Sequence, residues 1–356
     1  MFNRCFFRNR RSIVLLALPA AFLVLILTIM AGCASGTPAG GTGASAGGTG
    51  TAEINGTDTP LAGGRTINIG YITADQLHSP ALMVMKEKKL LEAAGFNVEW
   101  HEYIAGAYAI QDMASDTIDF ACCGVVPIII NHSQGLDLAV IAGSNQEGSS
   151  LVVADYIRTV GDLDGKTIAT PGLGSLQDAM LTRLALENHI GIDRTTMDVS
   201  DMPDFLKSGE IDGFIAWAPH PDNAVNQKLG RQLVTSSDIM PNHQCCVLVT
   251  KSGTLKDDPE TVQKLLEVYL DAYRWFLDNR DESMGMIAKA TGVDETVVRS
   301  AAAAVKYSYP PYCNTDSMAS AARGLIDAGR ITAMDEADIE GFIMEIYQPG
   351  LMDAIA

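Results

Sequence analysis

Positive charge is scarce in this chain: 25 Lys and Arg stand against 43 Asp and Glu, a formal balance of −18. That balance excludes a nucleic-acid-binding protein and one that docks on anionic lipid through a basic patch. It also rules out long-range attraction as the means of collecting an anionic ligand. Metal-ligand spacing is missing as well. The seven cysteines contain no CxxC pair, so a zinc site is not indicated and no cofactor is expected. Tryptophan occurs only three times, so the position of each carries information.

What is present starts at the N-terminus. Arg4, Arg8, Arg10 and Arg11 precede a continuous apolar run from Ile13 to Ala31, which ends in Met30-Ala31-Gly32-Cys33. A basic region, an apolar region and small residues before a break read as an export signal. The small-small-Cys ending is the pattern at which lipoprotein signals are cut, so residues 1–32 are read as a lipoprotein signal peptide and Cys33 as the lipidated new N-terminus. A run of roughly 19 apolar residues can also stay in the bilayer as an anchor. On either reading the arginines remain inside and the rest of the chain works on the extracytoplasmic face of the cell membrane. Losing the signal removes four arginines and no acids, which makes the mature protein more acidic still.

Residues 33–65 are a Gly/Ser/Thr-rich tether, with Gly40-Gly41, Gly47-Gly48 and Gly63-Gly64. Such a stretch buries too little apolar surface to offset its ordering entropy. As a flexible coil it reaches on the order of 30 Å from the membrane. Beyond it, short apolar runs alternate with helical patterns. Strands are predicted at Ile67 to Ile72, Phe96 to Trp100, Ile118 to Cys122, Asp137 to Ala142, Lys166 to Thr170, Ile211 to Ala216 and Cys246 to Thr250. Helices are predicted at Pro80 to Ala94, Ala107 to Ser115, Val126 to Gln134 and Leu176 to Ile190, with a helical tail from Asp258 that includes Glu260 to Asn279. This alternation argues for an α/β fold, with mixed, mostly parallel sheets flanked by helices.

Five pieces in order make the pattern specific: Ile69-Gly70-Tyr71; Ile118-Asp119-Phe120 before a Gly-Val-Val-Pro turn; Asp162-Leu163-Asp164-Gly165-Lys166-Thr167-Ile168-Ala169; Gly174-Ser175 at a helix start; and Ile211-Asp212-Gly213 running into Trp217-Ala218-Pro219. Over roughly residues 66 to 320 the chain resembles the substrate-binding proteins of nitrate/sulfonate/taurine-type ABC importers. The resemblance implies a two-lobed periplasmic-binding-protein fold of type II. Residues 66–152 plus 249–356 would form lobe one and 153–248 lobe two, with crossings near Leu151 to Ala154 and Cys246 to Val249. It implies no enzyme chemistry. A small solute, sulfonate-, nitrate- or taurine-like, would be captured between the lobes and delivered to an ABC permease and its ATPase. A neutral heterocycle such as a thiamine pyrimidine precursor is the alternative cargo, and a solute-sensing ectodomain the alternative role. Relatives of this fold that are enzymes carry a longer cysteine-rich motif than this chain has.

Ligands of open α/β sheets sit at strand C-termini beside helix N-termini. That places Asp75, His78 and Ser79 after the first strand in the cleft, with Cys123 and Gly124, Ser149 and Ser150, and Gly174 and Ser175 in the later turns. Trp217, His243 and, at the rim, His220 complete the set. Ser175 reads equally as a helix N-cap, with Asp178 three residues on. Asp75 disfavours an anion directly against it and suits an amine or amide donor. The cleft loops contain no Lys or Arg. In the family's topology the strand beginning at Cys246 returns antiparallel beside the one ending at Cys122. That would bring Cys122 or Cys123 close to Cys245 or Cys246, as buried thiols, as a disulfide or, last in order, as soft metal ligands.

Overall fold

The apolar runs assemble into two five-stranded sheets, seen in a computed structural model that describes residues 64–332 and 334–355. The signal, Cys33 and nearly all of the tether lie outside the described residues. The strands are β1 (Thr66–Ile72), β2 (Asn97–Tyr103), β3 (Phe120–Gly124), β4 (Leu138–Gly143), β5 (Gln146–Glu147), β6 (Ser149–Val153), β7 (Lys166–Thr170), β8 (Ile192–Thr196), β9 (Gly213–Trp217), β10 (Arg231–Thr235), β11 (Cys246–Lys251) and β12 (Val305–Lys306). The first sheet has the order β2-β1-β3-β11-β4 and the second β10-β6-β9-β7-β8, while β12 pairs with β5. In the first sheet β1 is parallel to β2 and β3, and β11 enters antiparallel between β3 and β4. The second repeats the plan, with β6 antiparallel to β9 and β10. Strands β6 and β9, inside the second sheet, and β4, at an edge of the first, are buried along their whole length, as strands covered on both faces must be.

One device starts a strand in each sheet. Asp119 takes the Asn68 N–H on its carboxylate at 2.7 Å while its own N–H donates to the Asn68 carbonyl. Asp212 does the same with Thr167, also at 2.7 Å. This is the physical content of the two Ile-Asp motifs, and it moves the strand starts to Phe120 and Gly213, each two residues later than predicted.

The returning strand behaves as expected, with Leu248 opposite Cys122 and Cys246 opposite Gly124. Most of Leu151 to Ala154 lies within β6 of the second sheet, and Cys246 to Val249 within β11 of the first. The chain therefore passes between sheets just before those strands. The helix predicted over Pro80 to Ala94 is broken into Pro80–Glu87 and Leu90–Ala93, with Lys89 left-handed at φ +52°. At that break the Lys88 ammonium lies 3.8 Å from the centre of the Trp275 ring. The helix from Leu176 ends at Asn188, with left-handed His189 as its C-cap rather than Gly191.

The helical tail holds the crossing in place. Asp258 caps the helix Pro259–Asp278, whose buried stripe includes Leu265, Leu266, Tyr269, Tyr273 and Phe276. Burying each such side chain contributes about 1.5–3 kcal/mol. The Tyr269 hydroxyl donates to the Gly143 carbonyl at 2.8 Å and the Tyr273 hydroxyl to that of Ser144 at 2.5 Å. The last residues of β4 are thus fixed where the chain leaves the first sheet. Among the described residues no helix is long and apolar enough to cross a membrane.

Candidate functional site: the cleft between the sheets

The loop after β1 is a tight turn. Ala74 is left-handed at φ +59°, and the Asp75 carbonyl accepts from the His78 N–H, the Ser79 N–H and the Ser79 hydroxyl. That turn drives Asp75 and His78 inward, where they are 3% and 0% exposed, with Asp75 Oδ1 3.4 Å from His78 Nδ1. Cys245 and Cys246, at the start of β11, meet them there. Cys245 Sγ lies 3.6 Å from His78 Nδ1 and 3.8 Å from Cys246 Sγ, and Cys246 Sγ lies 3.7 Å from Asp75 Oδ2. The backbone of this pair is clamped by its neighbours. The Cys245 N–H donates to the Asn145 carbonyl, the Cys246 N–H to Asn145 Oδ1, and the Gln244 side chain to the carbonyls of both Asn145 and Cys246.

The second sheet supplies the opposite wall. Ser175 caps the helix Leu176–Asn188 by accepting the Asp178 N–H at 3.1 Å. Gln177 donates to the Ser149 hydroxyl at 3.0 Å. Trp217 ends β9 and reaches across, its indole N–H 3.1 Å from the Ala74 carbonyl, which His220 Nε2 also approaches at 3.0 Å. The small cavity between them, partly open to solvent, is lined by Ile72, Asp75, His78, Ala105, Gly106, Gly124, Pro127, Pro171, Ser175, Leu176, Gln177, Trp217, Cys245 and Cys246. None of these is Lys or Arg.

The charges follow from this crowding. Burial lifts the Asp75 carboxyl to about 7, the nearby His78 charge opposing that and Cys245 adding to it. For His78, burial acts against the charged ring. Cys245 and Asp75 outweigh it and raise the imidazole to about 9. Hydrogen bonding from Cys246, together with the His78 charge, holds the Cys245 thiol well below its ordinary value despite burial. Cys246 is pushed well above, by its hydrogen bond to Cys245 and by burial. The four groups at the floor of the cleft thus shift one another, Cys245 downward and Asp75, His78 and Cys246 upward.

Of the residues singled out from sequence, Asp75, His78, Gly124, Ser175 and Trp217 line this cavity. Ser79 turns back to the Asp75 carbonyl and borders a separate cavity with Tyr71, Lys86 and Trp100. Cys123 lies behind Gly106, where a Cβ would stand 2.8 Å from that of Cys123. Ser149 is taken up by Gln177 and by Ser236, and Ser150 lies within β6. The Gly174 N–H is bound to the Asp178 carboxylate, and Gly174 borders another cavity, beside Arg330. His243 is 1% exposed, with its Nδ1 2.8 Å from the Met240 carbonyl. Cys122, Cys123, Cys245 and Cys246 are free thiols, as is Cys313. Gln177 and Asn145 were not found from sequence. An amide two residues into a helix and another in a loop have no spacing signature.

A cleft walled by two similar mixed sheets, with polar groups from both sides buried in it, is the architecture of the periplasmic-binding-protein fold. The chain belongs to the NMT1-like family, whose model matches residues 62–291. A Bacillus subtilis (strain 168) protein named for binding aliphatic sulfonates is 24% identical over 287 residues, covering 78% of this chain and 79% of that one. The crystal structure of the periplasmic aliphatic sulphonate-binding protein of Escherichia coli superposes with a TM-score of 0.61 at 20% identity, covering 78% of this chain and 99% of that one. The periplasmic nitrate-binding protein of Synechocystis PCC 6803 gives 0.70 at 14% identity, covering 84% and 89%.

Proposed function

We propose that this chain is the lipid-anchored extracytoplasmic receptor of an ABC importer, tethered through Cys33. Its lobes close on a small solute, and the closed form is handed to the permease and its ATPase. The observation that carries this reading is the cavity between the two sheets, to which Asp75 and His78 come from one lobe and Ser175, Gln177 and Trp217 from the other.

For the cargo, the names of the relatives favour a sulfonate- or nitrate-like oxyanion, which would rest on neutral donors at the N-terminus of the helix Leu176–Asn188. A specific observation favours a second reading. The lining carries no Lys or Arg, and the Asp75 carboxyl is 3% exposed at the floor. A carboxyl there repels an oxyanion and suits a neutral or cationic solute packed against Trp217. A thermal-shift panel on the full chain decides between them, with small sulfonates, nitrate and taurine in one arm and pyrimidines and amines in the other. A solute at 100 times its dissociation constant adds about 2.7 kcal/mol. A shift confined to the second arm supports a neutral or cationic cargo. A shift confined to the first restores the oxyanion, and none in either removes the receptor reading for these classes.

A further inference from the structure

Among the described residues, one group of side chains has the donor types and spacing of a metal centre: His78, Cys245 and Cys246, whose donor atoms all lie within 4.8 Å of one another. The individual separations are informative. A tetrahedral ion with bonds of about 2.3 Å to sulfur and about 2.0 Å to nitrogen sets its ligand atoms about 3.8 Å apart for two sulfurs and about 3.6 Å apart for sulfur and nitrogen. Here Cys245 Sγ to Cys246 Sγ is 3.8 Å and Cys245 Sγ to His78 Nδ1 is 3.6 Å. Asp75 flanks the same centre, 3.4 Å from His78 Nδ1 through Oδ1 and 3.7 Å from Cys246 Sγ through Oδ2.

The surroundings fit a built site. The four side chains are 0–3% exposed, and Asp75 Oδ1 and His243 Nε2, both buried, have no hydrogen-bond partner. Polar groups left so are costly in a protein interior. His78 Nε2 is packed against Gly148, where a Cβ would stand 2.5 Å from it, so Nδ1 is the ring nitrogen turned toward Cys245 and Asp75. Asn145 fixes the backbone on both cysteines, the kind of outer support that orients metal ligands.

We propose that the floor of the cleft binds one thiophilic metal ion through Cys245, Cys246 and His78, with the Asp75 carboxyl beside it. Thiolate and imidazole select zinc-like or cuprous ions over magnesium or calcium. Binding displaces to solvent the protons that the two thiols and His78 Nδ1 carry. As an account of the cargo this deepens, and rests on, the receptor reading; the binding of the ion itself does not.

The test uses the full chain in detergent, reduced and stripped of metal, titrated with Zn²⁺ alone or Co²⁺ alone. The expected result is one equivalent bound, with Co²⁺ giving a sulfur-to-metal charge-transfer band and the intense visible bands of a tetrahedral site. Cys245→Ser/Cys246→Ser should abolish the band, and His78→Gln should weaken binding by about tenfold or more. Cys313→Ser, whose thiol is not part of this group, should leave it unchanged. Absence of the band in the wild-type protein overturns the proposal without reliance on any variant, as does its survival in the Cys245/Cys246 double variant. An organic solute that stabilises the metal-free protein, together with no metal binding, overturns the metal site and leaves the receptor. Stoichiometric metal binding in a protein that no organic solute stabilises supports the metal site and counts against an organic cargo.

Discussion

The indole N–H of Trp217 donates across the cleft to the carbonyl of Ala74, 3.1 Å away. Trp217 ends β9 of the second sheet and Ala74 lies in the turn after β1 of the first, so this bond exists only while the two walls of the cleft are together. His220 reaches the same carbonyl at 3.0 Å, and burial holds its imidazole below its ordinary value, so the ring acts as a neutral donor. Left-handed Ala74 is what turns its carbonyl toward both. The closed cleft is latched on one backbone oxygen. Trp217→Phe keeps the ring and removes one donor, a loss of about 1 kcal/mol from the closed form. The radius of gyration of the solute-free protein, measured by small-angle scattering, should rise in the variant; an unchanged radius would sink the latch.

A second link ties the helix Leu176–Asn188 to the helical tail. Asp178, in its first turn, is 1% exposed and accepts from the Gly174 N–H, from Arg194 and from Arg330, whose Nη1 is 3.2 Å away. Arg330 comes from the helical tail. Its side chain is 38% exposed, so Arg330→Gln should cost only up to about 1 kcal/mol of stability. Asp178→Ala is different, because it strands two arginines and removes the partner of the Gly174 N–H. A cost of roughly 3 kcal/mol is expected in urea unfolding. Equal effects of the two substitutions would show that Asp178 is not buried as described.

Much of this was legible in the sequence because both sheets follow one plan. The apolar runs that became β1, β4, β7 and β11 mark strands buried on both faces, and the antiparallel return of β11 brought Cys246 opposite Gly124. Asp75, His78, Gly124, Ser175 and Trp217 were found because cavities of this kind sit where strands end and helices begin. What could not be read has physical reasons. β8 is an edge strand, Ile-Asp-Arg-Thr-Thr, with no continuous apolar run, and β10 is another edge. Left-handed Lys89 breaks a helix without glycine or proline to announce it. The Gly174 N–H looked free because nothing in the spacing says that Asp178 folds back on it. The cysteine–histidine cluster draws on segments 167 residues apart, beyond any motif rule that counts along the chain.

The twin aspartates test how the strands are set. Asp119 and Asp212 each hold the partner strand's N–H on a carboxylate at 2.7 Å. Replacing either by Ala removes a charge-assisted bond and should cost about 1.5–3 kcal/mol. The two sites lie in different sheets without a shared partner, so the double variant should show the sum of the two losses. Chemical denaturation of the four proteins measures this. A double variant no worse than either single one would mean that the pair do not act independently, one in each sheet.

The crossing between the sheets carries an acid-sensitive contact. Glu147, on β5, pairs through Val305 with β12, and its carboxylate accepts the Asn242 N–H at 2.7 Å and meets the Lys306 ammonium at 3.1 Å. Burial acts to raise its carboxyl, but the hydrogen bonds of Ser237 and Asn242 and the charge of Lys306 outweigh it, and the value falls below its ordinary 4.5. A carboxyl lowered by folding adds stability that is complete above its unfolded value and is lost as pH falls through the folded one. The wild-type protein should therefore lose stability below about pH 4.5 partly through this residue. Glu147→Gln should be about 1–2 kcal/mol less stable near neutral pH, and the gap should close as the pH approaches 3. Thermal unfolding of both proteins from pH 3 to pH 7 provides the comparison. A gap that stays constant across that range would assign the loss to shape rather than charge. The crossing would then be held by β5–β12 pairing alone.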